Sequence, residues 1–225
     1  MSNKSIKKYT LLIGVLFLFP LSWLLFFGVM GEHKFSTLPY LFTEVQGTDS
    51  IPTVVRPFEL TDQSGETFSS SELDGKVWLA AFYGTSNPYV GKITRRLLWP
   101  NFRYREEEDI ILVSFSMDTQ HDTPEVLSEY IEGTTMYQRL DDKWHFLTGD
   151  QSKIHDILKV DFRQEDIENT SAVFLIDTEG CVRGRYNGNR EDEIKDAIED
   201  IALLKKEMDI AAYEERKRAE ENGEE

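Results

Sequence analysis

The residue types that could perform redox or metal chemistry are few and scattered in this chain. There is one cysteine, Cys181, which excludes an intrachain disulfide and a four-cysteine zinc site. The four histidines, His33, His121, His145 and His155, lie in separate segments, whereas a metal site needs several converging ligands. We therefore interpret Cys181 as a small buried apolar residue and the histidines as structural or solvent-exposed side chains.

One short stretch concentrates polar residues at the end of a predicted strand. Met117 and His121 lie there, and because copper accepts thioether and imidazole ligands, they are candidate substitute ligands. Asp118 and Asp122 could form a carboxylate pair for acid–base chemistry. Turn formation and helix capping explain these two residues more simply, since Asp122 with Glu125 three residues later matches a capping box.

The stretch FYGTSNPYVGKIT, residues 82–94, has the position of a reactive loop without reactive residues. It overlaps the end of the apolar run VWLAAFYG, residues 77–84, which is typical of a buried strand, and it leads into a predicted helix. In α/β proteins, ligands and reactive groups gather at such strand-to-helix turns. The stretch contains no Cys, His, Asp or Glu, so it lacks the usual side chains for catalysis or metal binding.

The elements that would position this turn follow from the apolar periodicity. Buried strands are predicted at 77–84 and 109–118, with one crossover helix between residues 89 and 107. Pro100 should kink or split that helix, because a proline inside a helix loses a hydrogen bond. The other predicted elements are a hairpin over 58–73 with its turn at 63–65, helices from Asp122, Asp150 and about Glu191, and a hairpin over 172–188 with its turn at 178–180. This order is that of a thioredoxin-like α/β domain with an N-terminal β-hairpin.

The N-terminal part of the chain has the composition of a membrane anchor. Residues 10–30 are uncharged, about 20 apolar residues suffice to cross a bilayer, and no small-residue cleavage site follows them. Lysines at positions 4, 7 and 8 against one at position 34 predict a cytoplasmic N-terminus, and hence a single-pass protein of the inner (cytoplasmic) membrane with its C-terminal domain on the periplasmic, extracytoplasmic side. The predicted organisation is a cytoplasmic segment at 1–9, a transmembrane helix at 10–30, a linker at 31–56, the domain at 57–206 and a charged tail at 207–225.

The charge balance excludes one class of partner. The net charge is −16, from 41 acidic and 25 basic residues. Nucleic-acid binding relies on clustered Lys and Arg, so we expect no nucleic-acid partner.

Three motifs together resemble the SCO/SenC family of membrane-anchored, thioredoxin-fold copper chaperones for cytochrome c oxidase assembly. They are SFSMDTQHDTPEVLSEYI at 114–131, WHFLTGDQSKI at 144–154 and NTSAVFLIDTEGCV at 169–182. They occur in the family's order behind a single predicted anchor. The resemblance covers about residues 57–204 and implies the same thioredoxin-like fold.

The resemblance breaks at the family's copper site. Family members bind one copper ion with a Cys-Pro-x-x-Cys-Pro turn and a distal histidine, which also allow thiol–disulfide chemistry. Matching the shared Thr-x-x-Pro context puts Asn87 and Gly91 at the two cysteine positions, and matching residues 171–177 puts Asn169 at the histidine. Copper needs thiolate, thioether or imidazole donors, so the resemblance implies a degenerate site with no catalytic residues and no copper cofactor. If this alignment is correct, these three residues converge in space.

The function that follows is that of a non-enzymatic, membrane-anchored accessory factor in respiratory (cytochrome c) oxidase assembly. Its partners would be the membrane, through the N-terminal helix, and oxidase subunits or an active SCO-like protein. The alternative is a copper-delivery or electron-transfer protein that uses non-standard ligands such as Met117 and His121. A thiol peroxidase or reductase is a third option, but no thiol occupies the turn.

Overall fold

The computed structural model describes residues 37–133, 142–167 and 171–222, which belong to one compact unit beginning at Thr37. The strands are β1 (Thr43–Gln46), β2 (Asp49–Pro52), β3 (Glu59–Thr61), β4 (Thr67–Ser69), β5 (Val77–Phe82), β6 (Ile110–Phe115), β7 (Trp144–Leu147), β8 (Ala172–Ile176) and β9 (Val182–Asn187). The helices are α1 (Val90–Arg103), α2 (Pro124–Gly133), α3 (Gln151–Asp156) and α4 (Glu191–Asn222), with a 3₁₀ turn at Ser70–Leu73 and a π-helical turn at Ile157–Asp161.

A five-stranded sheet in the order β7-β6-β5-β8-β9 forms the centre of the domain. β5, β6 and β7 are parallel, whereas β8 runs antiparallel to β5 and β9 antiparallel to β8. Every residue of β5 and β6 is buried, because helices or a hairpin cover both faces of the sheet. This explains why both strands are apolar runs without alternation, and both sequence predictions are confirmed.

Successive side chains of β5 belong to two different cores. Val77, Leu79 and Ala81 pack with α1, α2 and α4 on one face of the sheet. The alternate residues, with Trp78 and Phe82 the largest, pack with the β3–β4 hairpin, α3 and the π-helical turn on the other face. The predicted hairpin over 58–73, the hairpin over 172–188 and the helices at Asp150 and Glu191 are all confirmed.

The crossover between β5 and β6 is a single helix, so of the two outcomes predicted for Pro100, a kink or a split, the split is wrong. Pro100 lies inside α1 but only four residues before its C-cap, Tyr104, whose backbone N–H donates to the Pro100 carbonyl at 3.0 Å. At this position the proline removes one hydrogen bond, to the carbonyl four residues earlier, and the helix ends within the next turn.

The segment interpreted as a linker, residues 31–56, contains structure over its described part. The strands β1 and β2 form an antiparallel hairpin, and the segment joins the domain through Leu41 N–H to the Val182 carbonyl and Val55 N–H to the Gly180 carbonyl, both at 2.9 Å. The compact unit therefore begins 20 residues before the predicted boundary at 57. All but one of the hairpin's strand residues are exposed, so the hairpin leaves no apolar alternation in the sequence.

No strand is predicted after Trp144, but this region is the edge strand β7, which pairs in parallel with β6. The charged tail at 207–225 is helical to Asn222, as the continuation of α4. Residues 1–9 and the predicted transmembrane helix at 10–30 lie outside the described residues, and in the described part of the chain no helix is both long and apolar enough to cross a bilayer.

Candidate functional site

The loop between β5 and α1, residues 83–89, is shaped by the side chain and backbone of Asn87. The Asn87 N–H donates to the Gly84 carbonyl at 3.0 Å, and the Asn87 Oδ1 atom accepts the Tyr89 N–H at 2.8 Å. The Asn87 carbonyl then accepts the Val90 N–H at 2.9 Å. The amide thus closes the turn that starts α1, as asparagine commonly does. Gly91 follows in the first turn of α1, exposed, with open space around the position that a Cβ atom would take.

Asp122 fixes this loop to the end of β6. Its carboxylate is fully buried and accepts hydrogen bonds from the Thr85 N–H at 3.0 Å, the Thr85 hydroxyl and the Ser116 hydroxyl at 2.6 Å. His121 Nδ1 lies 3.0 Å from the same carboxylate. Burial disfavours the charged carboxylate, but the hydrogen bonds from His121, Ser116 and Thr85 outweigh it, so the pKa of Asp122 lies below its ordinary value.

The prediction that Asp122 caps the following helix is wrong. α2 begins at Pro124, and the Thr123 hydroxyl, not the Asp122 carboxylate, accepts the Val126 N–H, at 3.4 Å. Asp122 points back into the domain instead. This role could not be predicted from the sequence, because Thr85, which donates two hydrogen bonds to the Asp122 carboxylate, is 37 residues away along the chain.

A polar cleft of about 420 Å³ opens beside the loop. Its lining combines the loop with the end of β6 and the start of β8, and includes Ser86, Asn87, Tyr89, Met117, Asp118, Ile167, Ser171 and Asn189. The Asp118 carboxylate accepts the Ser86 hydroxyl at 3.0 Å. The Asn189 Oδ1 atom is buried and has no hydrogen-bond partner among the residues that the structure describes.

The proposed substitute ligands do not face the same space. Met117 lines the cleft, but His121, which is exposed, is not part of its lining. The His121 Nδ1 atom is engaged by Asp122 and lies 3.2 Å from the Thr85 hydroxyl, so only Nε2 remains for a metal. The bond to Asp122 raises the pKa of His121 above its ordinary value. Within residues 37–133, 142–167 and 171–222, no group of three or more His, Cys, Asp and Glu side chains could hold a metal ion.

The Thr85, His121 and Asp122 side chains also do not form a hydrolytic triad. In a triad the carboxylate and the hydroxyl bind different nitrogens of the imidazole, so that a proton can move between them. Here both contacts converge on Nδ1. The cluster therefore holds the loop in place and has no geometry for activating the Thr85 hydroxyl.

Cys181 lies at the opposite end of the sheet from the loop. It follows the turn between β8 and β9, and because Ile176 pairs with Trp78 near the start of β5, that turn is distant from the end of β5. Cys181 is buried, and burial raises the pKa of its thiol to about 11. This agrees with an unreactive, buried thiol.

The remaining predicted residues are spread over the chain. His145 lies in β7 against the Phe68 ring, with the ring centroids 4.7 Å apart, and burial lowers its pKa. His155 Nε2 lies 2.7 Å from the Gln151 amide nitrogen. Asn169 and His33 lie outside the described residues, so the convergence of Asn87, Gly91 and Asn169 stays a prediction. Ile167 and Ser171, on either side of Asn169 in sequence, both line the cleft beside Asn87.

The strand order of the sheet, the elements that cover its two faces and the loop between β5 and α1 together define the class of protein. It is a thioredoxin-like α/β domain whose turn at the position of the reactive loop contains no sulfur. The SCO1/SenC family model matches residues 46–205, and the chain belongs to that family. This confirms the resemblance found in the three motifs.

Individual relatives and solved structures agree with this assignment. An SCO1 protein homolog of Bacillus subtilis is 28% identical in an alignment of 158 residues that covers 65% of this chain and 80% of that protein. An SCO2-like protein of Rickettsia prowazekii is 35% identical in an alignment of 129 residues that covers 54% of this chain and 58% of the relative.

Two solved structures share both sequence and fold. One is a SCO1/SenC family lipoprotein from Bacillus anthracis, with 29% identity, a TM-score of 0.59 and coverage of 67% of this chain and 94% of that one. The other is BsSco, described as having a disulfide switch and as a member of the Sco family of cytochrome c oxidase assembly proteins. It has 28% identity, a TM-score of 0.59 and coverage of 69% of this chain and 95% of that one.

Proposed function

We propose that this chain is an accessory factor in cytochrome c oxidase assembly that neither binds copper at the loop between β5 and α1 nor exchanges thiols there. Its membership of the SCO1/SenC family and its similarity to BsSco, a Sco family assembly protein, support the assembly role. One observation carries the rest of the proposal. The turn contains no cysteine, and the match of its Thr-x-x-Pro context puts Asn87 and Gly91 at the two positions that the family fills with cysteine.

The chemistry of these two residues argues against both family activities. An amide and a glycine supply neither the thiolate that Cu(I) and Cu(II) accept nor the imidazole that Cu(II) accepts. Thiol–disulfide exchange starts with a thiolate, and Cys181, with a pKa of about 11 and a place at the far end of the sheet, does not supply one to the loop.

The remaining parts of the proposal concern location and partners. The apolar segment at 10–30 anchors the chain in the inner membrane, and the domain lies on the periplasmic side. Oxidase subunits or an active SCO-like protein are the partners. If the anchor exists, the full chain stays in the membrane pellet after alkaline carbonate extraction, whereas a chain that begins at Thr37 is released.

Copper titration of the full chain in detergent tests the central statement. The wild type should bind less than a stoichiometric amount of Cu(I) or Cu(II), and a variant with Asn87→Cys, Gly91→Cys and Asn169→His should gain one equivalent, because the three family ligands are restored. Open space at Gly91 allows the cysteine side chain. One equivalent of copper on the wild type, lost on Met117→Ala with His121→Ala, would instead establish the copper-delivery alternative.

Deletion of the gene tests the assembly role separately. The amount of assembled oxidase should fall, and the wild type and the Met117→Ala, His121→Ala variant should restore it equally. Normal oxidase after deletion, together with no oxidase subunit or SCO-like protein recovered on the tagged full chain, would contradict the assembly role.

A further inference from the structure

The solvent face of α1 carries a stripe of basic and aromatic side chains. Residues 82–105 contain five Lys and Arg residues and no Asp or Glu, in a chain with a net charge of −16. Spacings of three or four residues along the helix place the exposed members on one face, opposite the buried Ile93 and Leu97. We call this face the α1 stripe, and its residues are Lys92, Arg95, Trp99, Phe102 and Arg103.

The cations of the α1 stripe make no direct ion pair in the described part of the domain, although the pKa of the nearby Glu107 carboxyl is lowered by Lys205 and, to a lesser extent, by Arg103. Lys92, Arg95 and Arg103 form no ion pair with any residue in the described ranges, whereas Arg183 and Arg190 elsewhere are each paired with two carboxylates. Cations clustered on one helix of a strongly acidic protein create a local positive potential that attracts anionic ligands or surfaces.

The aromatic members of this region are exposed beside cations. The exposed fraction is 40% for Trp99 and 61% for Phe102, and Tyr89 at the start of the helix is 53% exposed. Lys195 lies 5.6 Å from the Trp99 ring centroid and Lys92 lies 5.6 Å from that of Tyr89. Trp and Tyr rings flanked by Lys and Arg are typical of segments that lie at the headgroup level of a bilayer.

We propose that the α1 stripe docks on the surface of a membrane that contains anionic phospholipids. Guanidinium and ammonium groups bind lipid phosphates, and the rings of Trp99 and Phe102 enter the headgroup layer. The stripe is a convex ridge about 16 Å long, from Lys92 to Arg103, and a flat, deformable headgroup layer can contact all of it, whereas a rigid protein partner would need a matching groove. The net charge of −16 repels the rest of the domain from an anionic surface, so the stripe would also set the orientation of the domain. This inference does not depend on whether copper is bound.

Fluorescence of Trp99 tests the contact directly in the full chain. Of the four tryptophans, Trp78 and Trp144 are buried, so a Trp23→Phe background leaves Trp99 as the exposed one. This protein is placed in nanodiscs of phosphatidylcholine alone or with about 30% phosphatidylglycerol. We expect the acrylamide quenching constant of Trp99 to be lower by at least about twofold in the anionic discs, and the difference to disappear at about 0.5 M salt, where surface charges are screened.

Matched charge variants distinguish an effect of the α1 stripe on Trp99 from an effect of the net charge of the protein. Lys92→Gln, Arg95→Gln and Arg103→Gln together should abolish the protection of Trp99, since each basic residue near an anionic surface is worth about a fivefold change in affinity. Arg216→Gln, Lys217→Gln and Arg218→Gln remove the same three charges from the exposed end of α4 and should leave the protection intact. Far-UV circular dichroism confirms that both variants are folded.

Two results would overturn the inference. The first is equal quenching of Trp99 in the two kinds of disc at low salt. The second is equal loss of protection in the stripe variant and the α4 variant, which would make the effect one of overall charge. If the quenching of Trp99 is the same in both kinds of disc while the stripe variant lowers oxidase assembly in cells, the α1 stripe docks on an acidic protein and the lipid proposal is wrong.

Discussion

Asp122 is a buried carboxylate that connects the loop between β5 and α1 to the end of β6. It has no lysine or arginine partner among the described residues and is stabilised by hydrogen bonds from Thr85, Ser116 and His121. A buried charge of this kind is costly unless its hydrogen bonds are complete. The same bonds connect the loop after β5 to the end of β6, as the Ser86–Asp118 hydrogen bond also does, so Asp122 is one of the side chains that hold the loop in place.

Replacing Asp122 with asparagine should therefore destabilise the domain. The amide keeps the volume but turns one acceptor oxygen into a donor, which leaves the donor of Thr85 or Ser116 facing an NH₂ group. We expect the free energy of unfolding to fall by about 2–3 kcal/mol, measured by urea denaturation. Asp209→Asn, at an exposed position of α4, is the control and should change it by less than about 0.5 kcal/mol. Equal effects of the two substitutions would show that Asp122 does not hold the loop.

The contact between His121 and Asp122 predicts a pH dependence. Folding raises the pKa of His121 and lowers that of Asp122, so the contact stabilises the fold while the imidazole is protonated and the carboxylate is charged. The stabilisation is fully present below the unfolded histidine pKa of about 6.5 and is lost as pH rises through the higher folded value. At the acid end it is lost as pH falls through the lowered pKa of Asp122.

Denaturation of the wild type and of His121→Gln at about pH 5.5 and about pH 8.5 measures this dependence. At the lower pH the free energy of unfolding of the wild type should exceed that of His121→Gln. This difference between the two proteins should be smaller at the higher pH. When both proteins also carry Asp122→Asn, the difference in their free energies of unfolding should no longer depend on pH. A difference that grows with pH would contradict the assignment.

At the scale of elements, two glycines near the loop occupy opposite environments. A Cβ atom on Gly84 would lie 3.2 Å from the Asp118 Cβ atom and 3.4 Å from the Asp122 carboxylate, whereas the Gly91 position is open. Gly84 therefore lets β5 and its loop approach the segment after β6. Gly91 has no such packing requirement and only weakens the first turn of α1.

Alanine at these two positions should change stability in opposite directions. Gly84→Ala forces the two segments apart and should cost about 1–3 kcal/mol, while Gly91→Ala should stabilise the domain by about 0.5 kcal/mol through helix propensity. The transition midpoints in urea give both values. Destabilisation by Gly91→Ala would mean that this glycine is needed for the loop, and the copper-site alignment would lose its support at that position.

Elements whose structure follows from their own residues could be predicted from the sequence, and those that depend on distant partners could not. β5 and β6 are apolar except for Ser114 because both faces are covered, and their bounds were predicted to within three residues. β7 has only four residues, too few for its apolar side chains to define a period, and it exists through its pairing with β6. The β1–β2 hairpin is exposed and has no apolar alternation. For the candidate site, the absence of sulfur from the turn was evident, but the role of Asp122 was not, because its donors come from other segments.

At the scale of the whole molecule, Arg183 connects the two ends of the domain. Its guanidinium is 5% exposed and pairs with Asp177 at 2.9 Å and Glu207 at 3.0 Å. It also donates to the Leu38 carbonyl and lies over the Tyr40 ring. The start of the described chain, the start of β9 and the middle of α4 are thus held by one side chain.

Replacing Arg183 with methionine should loosen this junction. Asp177 would remain as a buried carboxylate without its cation, which costs about 3–5 kcal/mol, and residues 37–56 should become sensitive to limited proteolysis. Arg185→Met, on an exposed position of the same strand, is the matched control and should change neither property. Unchanged stability and protease resistance in Arg183→Met would show that the other contacts of the segment, such as Arg56 with Asp161, hold it without Arg183.

The place of the Arg183 junction has a mechanical consequence. Tension applied to the chain at Thr37 reaches Leu38, whose N–H donates directly to Glu207 and whose carbonyl accepts from the Arg183 guanidinium. The guanidinium in turn is bonded to Asp177 and Glu207. Asp177 lies in the β8–β9 turn, at the end of the sheet opposite the loop after β5. A load that enters the domain there acts first on the start of β9 and the middle of α4, at the end of the sheet opposite the loop after β5.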